Sequence, residues 1–226
     1  MKRLIKTASY IGNVKVTVLV CMVAAVLLHT GMQTPTLGIM PAQVRGEIDY
    51  IVLARWLGMM AVPILLNGYY LSRCKNVEML SLIHLKSTYK WLHFKLVGCF
   101  VNTLVYTTAL SVPVCILRDI GTARDAFLLL LLNNSMWMLG QLLLDEMLHS
   151  SSVTGLCVTA IICFCFVCGE RLDGISTYIP SSWGMICRAS VGSSGNADIR
   201  GFLFANMAAI LLSLLLLHYL HRKRRR

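Results

Sequence analysis

Residues 72–95 read SRCKNVEMLSLIHLKSTYKWLHFK, a basic stretch that separates two long apolar runs. It carries five Lys or Arg residues against a single acid, Glu78. Its apolar residues recur at helical spacing, which predicts an amphipathic helix with a basic face and an apolar face. Such a helix either lies in a membrane interface or offers a docking surface to a partner protein, and the residues alone leave both open.

The composition of the whole chain favours a membrane protein. Of the 226 residues, 57% are hydrophobic and only 14% are charged. A soluble chain has about 25% charged residues. Several apolar runs approach or exceed the roughly 20 residues that cross a hydrocarbon core. We therefore expect an all-α polytopic membrane protein, with residues 1–226 forming a single transmembrane domain.

The apolar runs predict six transmembrane helices, two before the basic helix 72–95 and four after it. Between the fifth and sixth spans, residues 170–200 are rich in Gly, Ser and Pro and too broken to cross the membrane. They predict a partly re-entrant or interfacial segment on the outer side. The predicted spans cover residues 14–32, 50–71, 96–117, 126–144, 153–168 and 201–220.

The placement of Lys and Arg predicts the topology. The two termini and the basic stretch together hold 14 of the 21 Lys and Arg residues, including every lysine. Because Lys and Arg concentrate in cytoplasmic loops, both termini and residues 72–95 are expected in the cytoplasm. The net charge of +11 is placed beside apolar runs, so it indicates contact with membrane lipid and no nucleic acid partner.

Two residue pairs are candidates for chemistry. His93 and Cys99 lie at the inner membrane edge, as in six-span cysteine peptidases, but six residues along a helix place two side chains on opposite faces. Asp145 and Glu146 end the fourth span, where interfacial carboxylates are typical; a proton or cation site is the other interpretation. The sequence contains no G-x-x-x-x-G-K-[ST] nucleotide motif. We expect no catalytic residue, cofactor or metal on this chain.

Amide side chains interrupt the fourth span at Asn133, Asn134 and Gln141. In a membrane such side chains face other helices, where they form interhelical hydrogen bonds or line a translocation path. The sequence leaves both interpretations open. Cys168 and Cys187 flank the broken outer segment, and whether they pair is also open.

Two short motifs accompany this order of predicted spans, basic helix and broken outer segment. LKSTYKWLHFKL at 85–96 is similar to a pattern of basic, Ser, basic, Trp and Lys, although the basic pair expected between Ser87 and Lys90 is only partly present. YIPSSWGMICRAS at 178–190 is similar to a Pro…Trp-Gly-Met…Arg segment. With these motifs, the chain resembles the permease subunits of bacterial ABC-2-type exporters, in particular those of bacteriocin and lantibiotic export or immunity systems.

The resemblance implies a subunit of a bacterial plasma membrane exporter that moves a peptide or another amphipathic substrate. Energy would come from a separate cytoplasmic ABC ATPase, and the working unit would contain a second permease chain, identical or homologous. The family's coupling helix, which docks on the ATPase, would correspond to Leu85, Lys86, Lys90, Trp91 and Lys95.

Other interpretations remain beside this one. The outer segment is either an outer gate, formed by Pro180, Trp183 and Arg188, or a plain structural cap. An intramembrane cysteine peptidase that processes a signalling peptide is one alternative to the permease. A non-catalytic membrane immunity or scaffold protein is the other.

Overall fold

A computed structural model describes residues 18–24, 43–44, 47–48, 50–78, 83, 87–117, 120–148, 150–171, 179–180, 183–184 and 199–223. These residues are almost entirely helical. A short helix, α1, covers 18–24, and a two-residue antiparallel pair follows, formed by β1 (Gln43–Val44) and β2 (Glu47–Ile48). The long helices are α2 (Tyr50–Asn76), α3 (Thr88–Leu117), α4 (Ile120–Leu148), α5 (Ser151–Arg171) and α6 (Ile199–Lys223).

The five long helices confirm that the second to sixth predicted apolar runs are helical. Within the described residues, three segments are long and apolar enough to cross a membrane: Thr88–Val112, Arg124–Leu148 and Arg200–Arg222. Val153–Cys165 in α5 is a shorter apolar stretch. The described chain is therefore compatible with a membrane protein that has three candidate spans, and the first predicted span is described only at 18–24.

The basic stretch differs from the single helix predicted over 72–95. α2 continues to Asn76, Val77 forms a turn, and α3 begins at Thr88. The first part of the stretch is thus the last turn of α2, and its final part is the first two turns of α3. Residues 79–82 and 84–86 lie outside the described residues.

Local chemistry accounts for the start of α3. Ser87 precedes the helix, and serine is among the favoured N-cap residues. Its carbonyl oxygen accepts a hydrogen bond from the backbone N–H of Trp91 at 3.3 Å, which is the first bond of the helix. Of the apolar side chains that follow, Trp91 and Leu92 are buried inside the bundle, whereas Tyr89 and Val97 are exposed.

α4 is the central helix of the bundle. It packs against α2, α3, α5 and α6, and 56% of its candidate span is buried. α6 lies at the periphery, where only 11% of the candidate span is buried. More than half of the candidate span on α4 is therefore enclosed by protein, whereas most of α6 presents apolar side chains to the surroundings.

The apolar core forms two clusters at opposite ends of the helices. One end, which we call the basic end, is where α2 ends and α3 begins, and its cluster includes Tyr70, Trp91 and Leu142. The other, the far end, is where α2 begins, and its cluster includes Trp56 and Leu129. Polar side chains lie between and beside these clusters.

Candidate functional site

One side of α4 carries four polar side chains inside the bundle. Asn134, Trp137, Gln141 and Asp145 recur at intervals of three, four and four residues, so they lie within about 80° of one another around the helix axis. Asn134, Gln141 and Asp145 are buried, and Trp137 is half-buried. We call these four residues the α4 polar face. It extends for about 16 Å along the helix.

Every member of the α4 polar face has a buried polar atom without a hydrogen-bond partner among the described residues. These atoms are both amide atoms of Asn134, Nε1 of Trp137, Oε1 of Gln141 and Oδ2 of Asp145. Leaving a buried polar atom unpaired costs about 1–3 kcal/mol. Native structures contain few such atoms, and a row of them on one helix face therefore calls for a functional explanation.

Amide groups on this face and on the neighbouring helix α2 also hold the helices together. Gln141 Nε2 donates to the carbonyl oxygen of Ile64 on α2 at 2.9 Å. Asn67 Nδ2 donates to Thr103 Oγ1 at 3.1 Å and so connects α2 to α3. The Oδ1 atom of Asn67, like the Oε1 atom of Gln141, has no partner among the described residues. Each amide thus uses its nitrogen for interhelical bonding and keeps an unpaired oxygen in the interior.

Ion pairs close the polar face at the basic end. Lys75 Nζ lies 2.9 Å from Asp145 Oδ1, and the Asp145 side chain is only 1% exposed. Lys95 Nζ lies 3.1 Å from Glu146 Oε1 and 3.5 Å from Glu78 Oε1. These basic-end ion pairs connect α2, α3 and α4. The first of them involves Asp145, the last residue of the α4 polar face.

The predicted coupling residues occupy two different environments. Trp91 and Lys95 are each 3% exposed. Trp91 Nε1 donates to Glu78 Oε1 at 2.9 Å, and Lys95 Nζ lies 5.9 Å from the centroid of the Trp91 ring. Lys90 is exposed, so it alone of these three is available to a docking partner in this structure. Leu85 and Lys86 lie outside the described residues.

Toward the far end, two asparagines bind the backbone of Pro180 and Trp183. Asn133 Nδ2 donates to the carbonyl oxygen of Pro180 at 2.8 Å and to Asn206 Oδ1 at 3.1 Å. Asn206 Nδ2 donates to the carbonyl oxygen of Trp183 at 3.3 Å. Asn133 is nine residues, or about 13 Å, along α4 from Arg124. Residues 179–180 and 183–184 therefore contact α4 and α6 inside the bundle, while the re-entrant course of 170–200 stays a prediction.

Buried backbone carbonyls need hydrogen-bond partners. The Pro180 carbonyl oxygen accepts from Asn133 Nδ2 and, at 3.3 Å, from the backbone N–H of Trp183, and the Trp183 carbonyl oxygen accepts from Asn206 Nδ2. Gly184 allows the close approach: a Cβ added there would lie 3.1 Å from Asn133 Cβ and 3.2 Å from Trp56 Cη2. Two of the predicted gate residues, Pro180 and Trp183, thus contact the bundle interior through their carbonyls. Arg188, the third, lies outside the described residues.

The candidate catalytic pair is separated in the structure. His93 is exposed, with its Nδ1 atom 3.2 Å from the carbonyl oxygen of Tyr89 on its own helix, whereas Cys99 is fully buried. At Cys74, which lies beyond predicted span 50–71, burial raises the pKa of the thiol to about 11. Within the described residues no group of three His, Cys, Asp or Glu side chains could hold a metal ion. Cys187 lies outside the described residues, so the question of its pairing with Cys168 stays open.

Sequence reasoning missed several residues that build this site. Asn206 was the easiest of them to predict, because it is the only amide in the largely apolar run 201–220. Trp137 gave no signal, since an indole in an apolar run is ordinarily a packing residue. The pairing of Lys75 with Asp145 joins residues 70 positions apart and has no local signature.

Comparison of the chain with family models, curated proteins and solved structures found no match. The resemblance to ABC-2-type permeases therefore rests on the order of parts and the two motifs at 85–96 and 178–190. A functional proposal for this chain therefore depends on the geometry of the described residues.

Proposed function

We propose that this chain is a multi-pass membrane transport subunit in which the α4 polar face lines the translocation path. The observation that carries the proposal is the row of buried, unpaired polar atoms on Asn134, Trp137, Gln141 and Asp145. Polar groups within membrane segments are expensive and often mark the route of a substrate or ion. When the path opens, water or a polar part of the substrate becomes the missing hydrogen-bond partner.

The arrangement at the two ends of the α4 polar face supports a path that is closed in this structure. Toward the far end, the backbone segment that contains Pro180 and Trp183 is hydrogen-bonded to Asn133 and Asn206. At the basic end, Asp145 is paired with Lys75. We propose that transport opens these two closures in turn, by releasing the segment from its asparagines and by breaking the ion pair.

An amphipathic substrate fits these surroundings. The α4 polar face offers amide and carboxylate groups, while the adjacent clusters around Trp56 and Trp91 are apolar. A peptide with polar and apolar side chains could contact both kinds of surface during passage. A scaffold or immunity protein has no comparable use for the unpaired row, and the separation of His93 from Cys99 disfavours a peptidase.

The energy source in this proposal is a separate cytoplasmic ABC ATPase, as the family resemblance implies. The proposed setting is a bacterial plasma membrane, with six spans, both termini in the cytoplasm and a second permease chain. Lys86 and Lys90 would contact the ATPase. Trp91 and Lys95, which are buried against Glu78 and Glu146, would transmit the movement to α2 and α4 through the basic-end ion pairs.

The ATPase partner can be tested by isolating the tagged chain from its native membrane in mild detergent and measuring ATP hydrolysis in the eluate. Wild type should retain hydrolysis that depends on Mg²⁺ and is inhibited by vanadate. The double variant Lys86→Glu, Lys90→Glu should lose most of it, because two attractive charges become repulsive.

The matched control is the double variant Arg124→Glu, Arg200→Glu, which makes the same charge change at two exposed residues of the far end. It should retain the wild-type hydrolysis. Equal hydrolysis in both double variants, or none in wild type, would reject the ATPase partner. The α4 polar face is tested separately, by the cysteine measurement that closes the Discussion.

A further inference from the structure

The buried unpaired atoms nearest the basic end are all hydrogen-bond acceptors among the described residues. They are Oδ1 of Asn67, Oε1 of Gln141 and Oδ2 of Asp145, on residues that are at most 2% exposed. The unpaired N–H groups belong to Asn134 and Trp137, which lie farther along α4 from the basic end. A polar group that enters from the basic end therefore meets acceptors first.

The neighbouring atoms establish that the two unpaired amide atoms are oxygens. The Gln141 amide atom at 2.9 Å from the carbonyl oxygen of Ile64 is the nitrogen, because a carbonyl only accepts. The single hydroxyl proton of Thr103 is donated to the carbonyl oxygen of Cys99 at 3.0 Å. Thr103 Oγ1 therefore accepts from the nitrogen of Asn67. In both residues the atom left without a partner is the acceptor.

The three acceptors belong to one section of the bundle. Helices α2 and α4 run in the same direction, and the bond from Gln141 to Ile64 places these two residues at neighbouring levels. Asn67 follows Ile64 by about 4.5 Å along α2, and Asp145 follows Gln141 by about 6 Å along α4. Asn67 and Gln141 therefore lie just inside the ion pair that Asp145 makes at the basic end.

That ion pair joins a buried carboxylate to a partly exposed ammonium group. The Asp145 side chain is 1% exposed and the Lys75 side chain is 26% exposed, with 2.9 Å between Oδ1 and Nζ. The flexible stem of a lysine allows its ammonium group to turn toward water, whereas a buried carboxylate cannot follow it. Because a buried charge without a partner is costly, the departure of Lys75 favours another cation at Asp145.

The neighbouring charges also suit a cation. Lys95 Nζ lies 3.1 Å from Glu146 Oε1 and 3.5 Å from Glu78 Oε1. With Asp145 and Lys75, the basic-end ion pairs thus contain three carboxylates and two ammonium groups. The interior of this end is therefore richer in acidic groups than its basic surface, and a cationic group is the kind that it stabilises.

We propose that Asp145 binds a cationic group of the substrate, an ammonium or guanidinium group on an amphipathic molecule, in exchange for Lys75. The exchange replaces one ion pair by another, so no charge is left unpaired in the interior. Gln141 Oε1 and Asn67 Oδ1 then accept hydrogen bonds from the same group as it moves inward. This inference names the substrate class of the proposed path and rests on the proposed transport function.

The test measures the binding of three dye-labelled peptides that share one short apolar sequence and differ only in a central Lys, Gln or Glu. The full chain is purified in an uncharged detergent, and binding is followed by fluorescence anisotropy with empty micelles as the background. Wild type should bind the Lys peptide about tenfold or more tightly than the Gln and Glu peptides, since only the Lys peptide forms a charge-assisted hydrogen bond with Asp145.

Three variants identify the carboxylate. Asp145→Asn should weaken binding of the Lys peptide by about tenfold or more and leave the Gln peptide unchanged. Lys75→Gln should strengthen binding of the Lys peptide, because the competing ammonium group is removed. Asp125→Asn changes a carboxylate at the far end and should leave all three peptides unchanged. If Lys75→Gln fails to fold, the two aspartate variants still decide the outcome.

Equal binding of the Lys and Gln peptides to wild type, or equal losses in Asp145→Asn and Asp125→Asn, would overturn this inference. The cysteine measurement that closes the Discussion judges the path itself. If the path opens as predicted there while the peptides bind equally, the path is retained and the cationic substrate is wrong. If those cysteines stay unreactive, the transport proposal and this inference both fail.

Discussion

The Nδ2 group of Asn133, near the middle of α4, donates a hydrogen bond of 2.8 Å to the carbonyl oxygen of Pro180, 47 residues later in the chain. This bond attaches a single turn of backbone, in which the Pro180 carbonyl also accepts from the Trp183 N–H at 3.3 Å, to the middle of α4. It is therefore the contact that defines the far-end closure of the proposed path.

Replacement of Asn133 by Leu should destabilise this closure. The change removes one of two donors to the Pro180 carbonyl, which keeps the Trp183 N–H, and it leaves Asn206 Oδ1 without its donor. A buried group left unpaired costs about 1–3 kcal/mol. Unfolding of the purified protein in detergent measures the loss. Thr108→Val is the matched control, because the exposed Thr108 hydroxyl only donates to Leu104 of its own helix, at 2.8 Å. Equal stability of the two variants would contradict the role given to Asn133.

The Lys75–Asp145 pair should respond asymmetrically to substitution. Lys75→Met leaves a carboxylate that is 1% exposed without its cation, and breaking a buried pair in this way costs about 3–5 kcal/mol. Asp145→Asn should cost clearly less, because the amide oxygen still accepts from Lys75, whose side chain is 26% exposed and can reach water. Unfolding midpoints of both variants provide the comparison.

The exposed pair Arg124–Asp125 calibrates that experiment. Its side chains are 70% and 31% exposed, so Asp125→Asn should change the stability by only about 0–1 kcal/mol. If Lys75→Met loses no more stability than Asp125→Asn, the Lys75–Asp145 pair is solvated and does not keep the proposed path closed.

Gly98 should be intolerant of a side chain. A Cβ added there would collide with the ring and hydroxyl of Tyr70, so Gly98→Ala overpacks the contact between α2 and α3 and should cost about 1–3 kcal/mol. Gly140→Ala is the control, because a Cβ there meets nothing within 4 Å. Alanine also favours helix by up to about 1 kcal/mol relative to glycine, so the control should be neutral or stabilising.

A second substitution distinguishes a steric effect from a backbone effect at Gly98. Combining Gly98→Ala with Tyr70→Leu removes the colliding ring, and the double variant should lose less stability than the two single changes predict together. Simple additivity would mean that the Tyr70 contact is not the reason for the glycine.

The sequence predicted most of what depends on local pattern. The long apolar runs predicted the five long helices, and the Gly, Ser and Pro content of 170–200 predicted a break, which agrees with the end of α5 at Arg171 and the start of α6 at Ile199. The amides Asn133, Asn134 and Gln141 were expected to face other helices, and all three are buried. These features follow from composition and helical periodicity, which need no knowledge of distant residues.

The sequence could not predict how the basic stretch would be used. Lys95 fits the pattern of an exposed basic face, yet it is buried because Glu78 and Glu146 supply carboxylates from 17 and 51 residues away. The helical spacing of apolar residues also continues through Ser87 without interruption, although α3 begins only at Thr88. Here the structure depends on long-range charge pairing and on capping, and amphipathic spacing alone predicts neither.

The central claim is that the α4 polar face lines a path that opens to water, and cysteine reactivity tests it most directly. After replacement of all nine native cysteines, single cysteines are placed at Asn134 and Gln141, and at the exposed apolar residue Leu211 as the control. Each is combined with Asp145→Asn, which weakens the closure at the basic end because the ion pair becomes a hydrogen bond from Lys75 to a neutral amide. The variants are treated in inside-out membrane vesicles with a charged, membrane-impermeant thiosulfonate, and the modification rate is measured.

The account predicts that Asp145→Asn accelerates the modification of Gln141→Cys and Asn134→Cys, with Gln141→Cys the faster because it is nearer the basic end. Leu211→Cys should remain unreactive in both backgrounds, while labelling after denaturation confirms that every cysteine is present. If the two α4 positions stay as unreactive as Leu211→Cys in folded protein, the α4 polar face is a closed structural seam and the transport proposal is wrong.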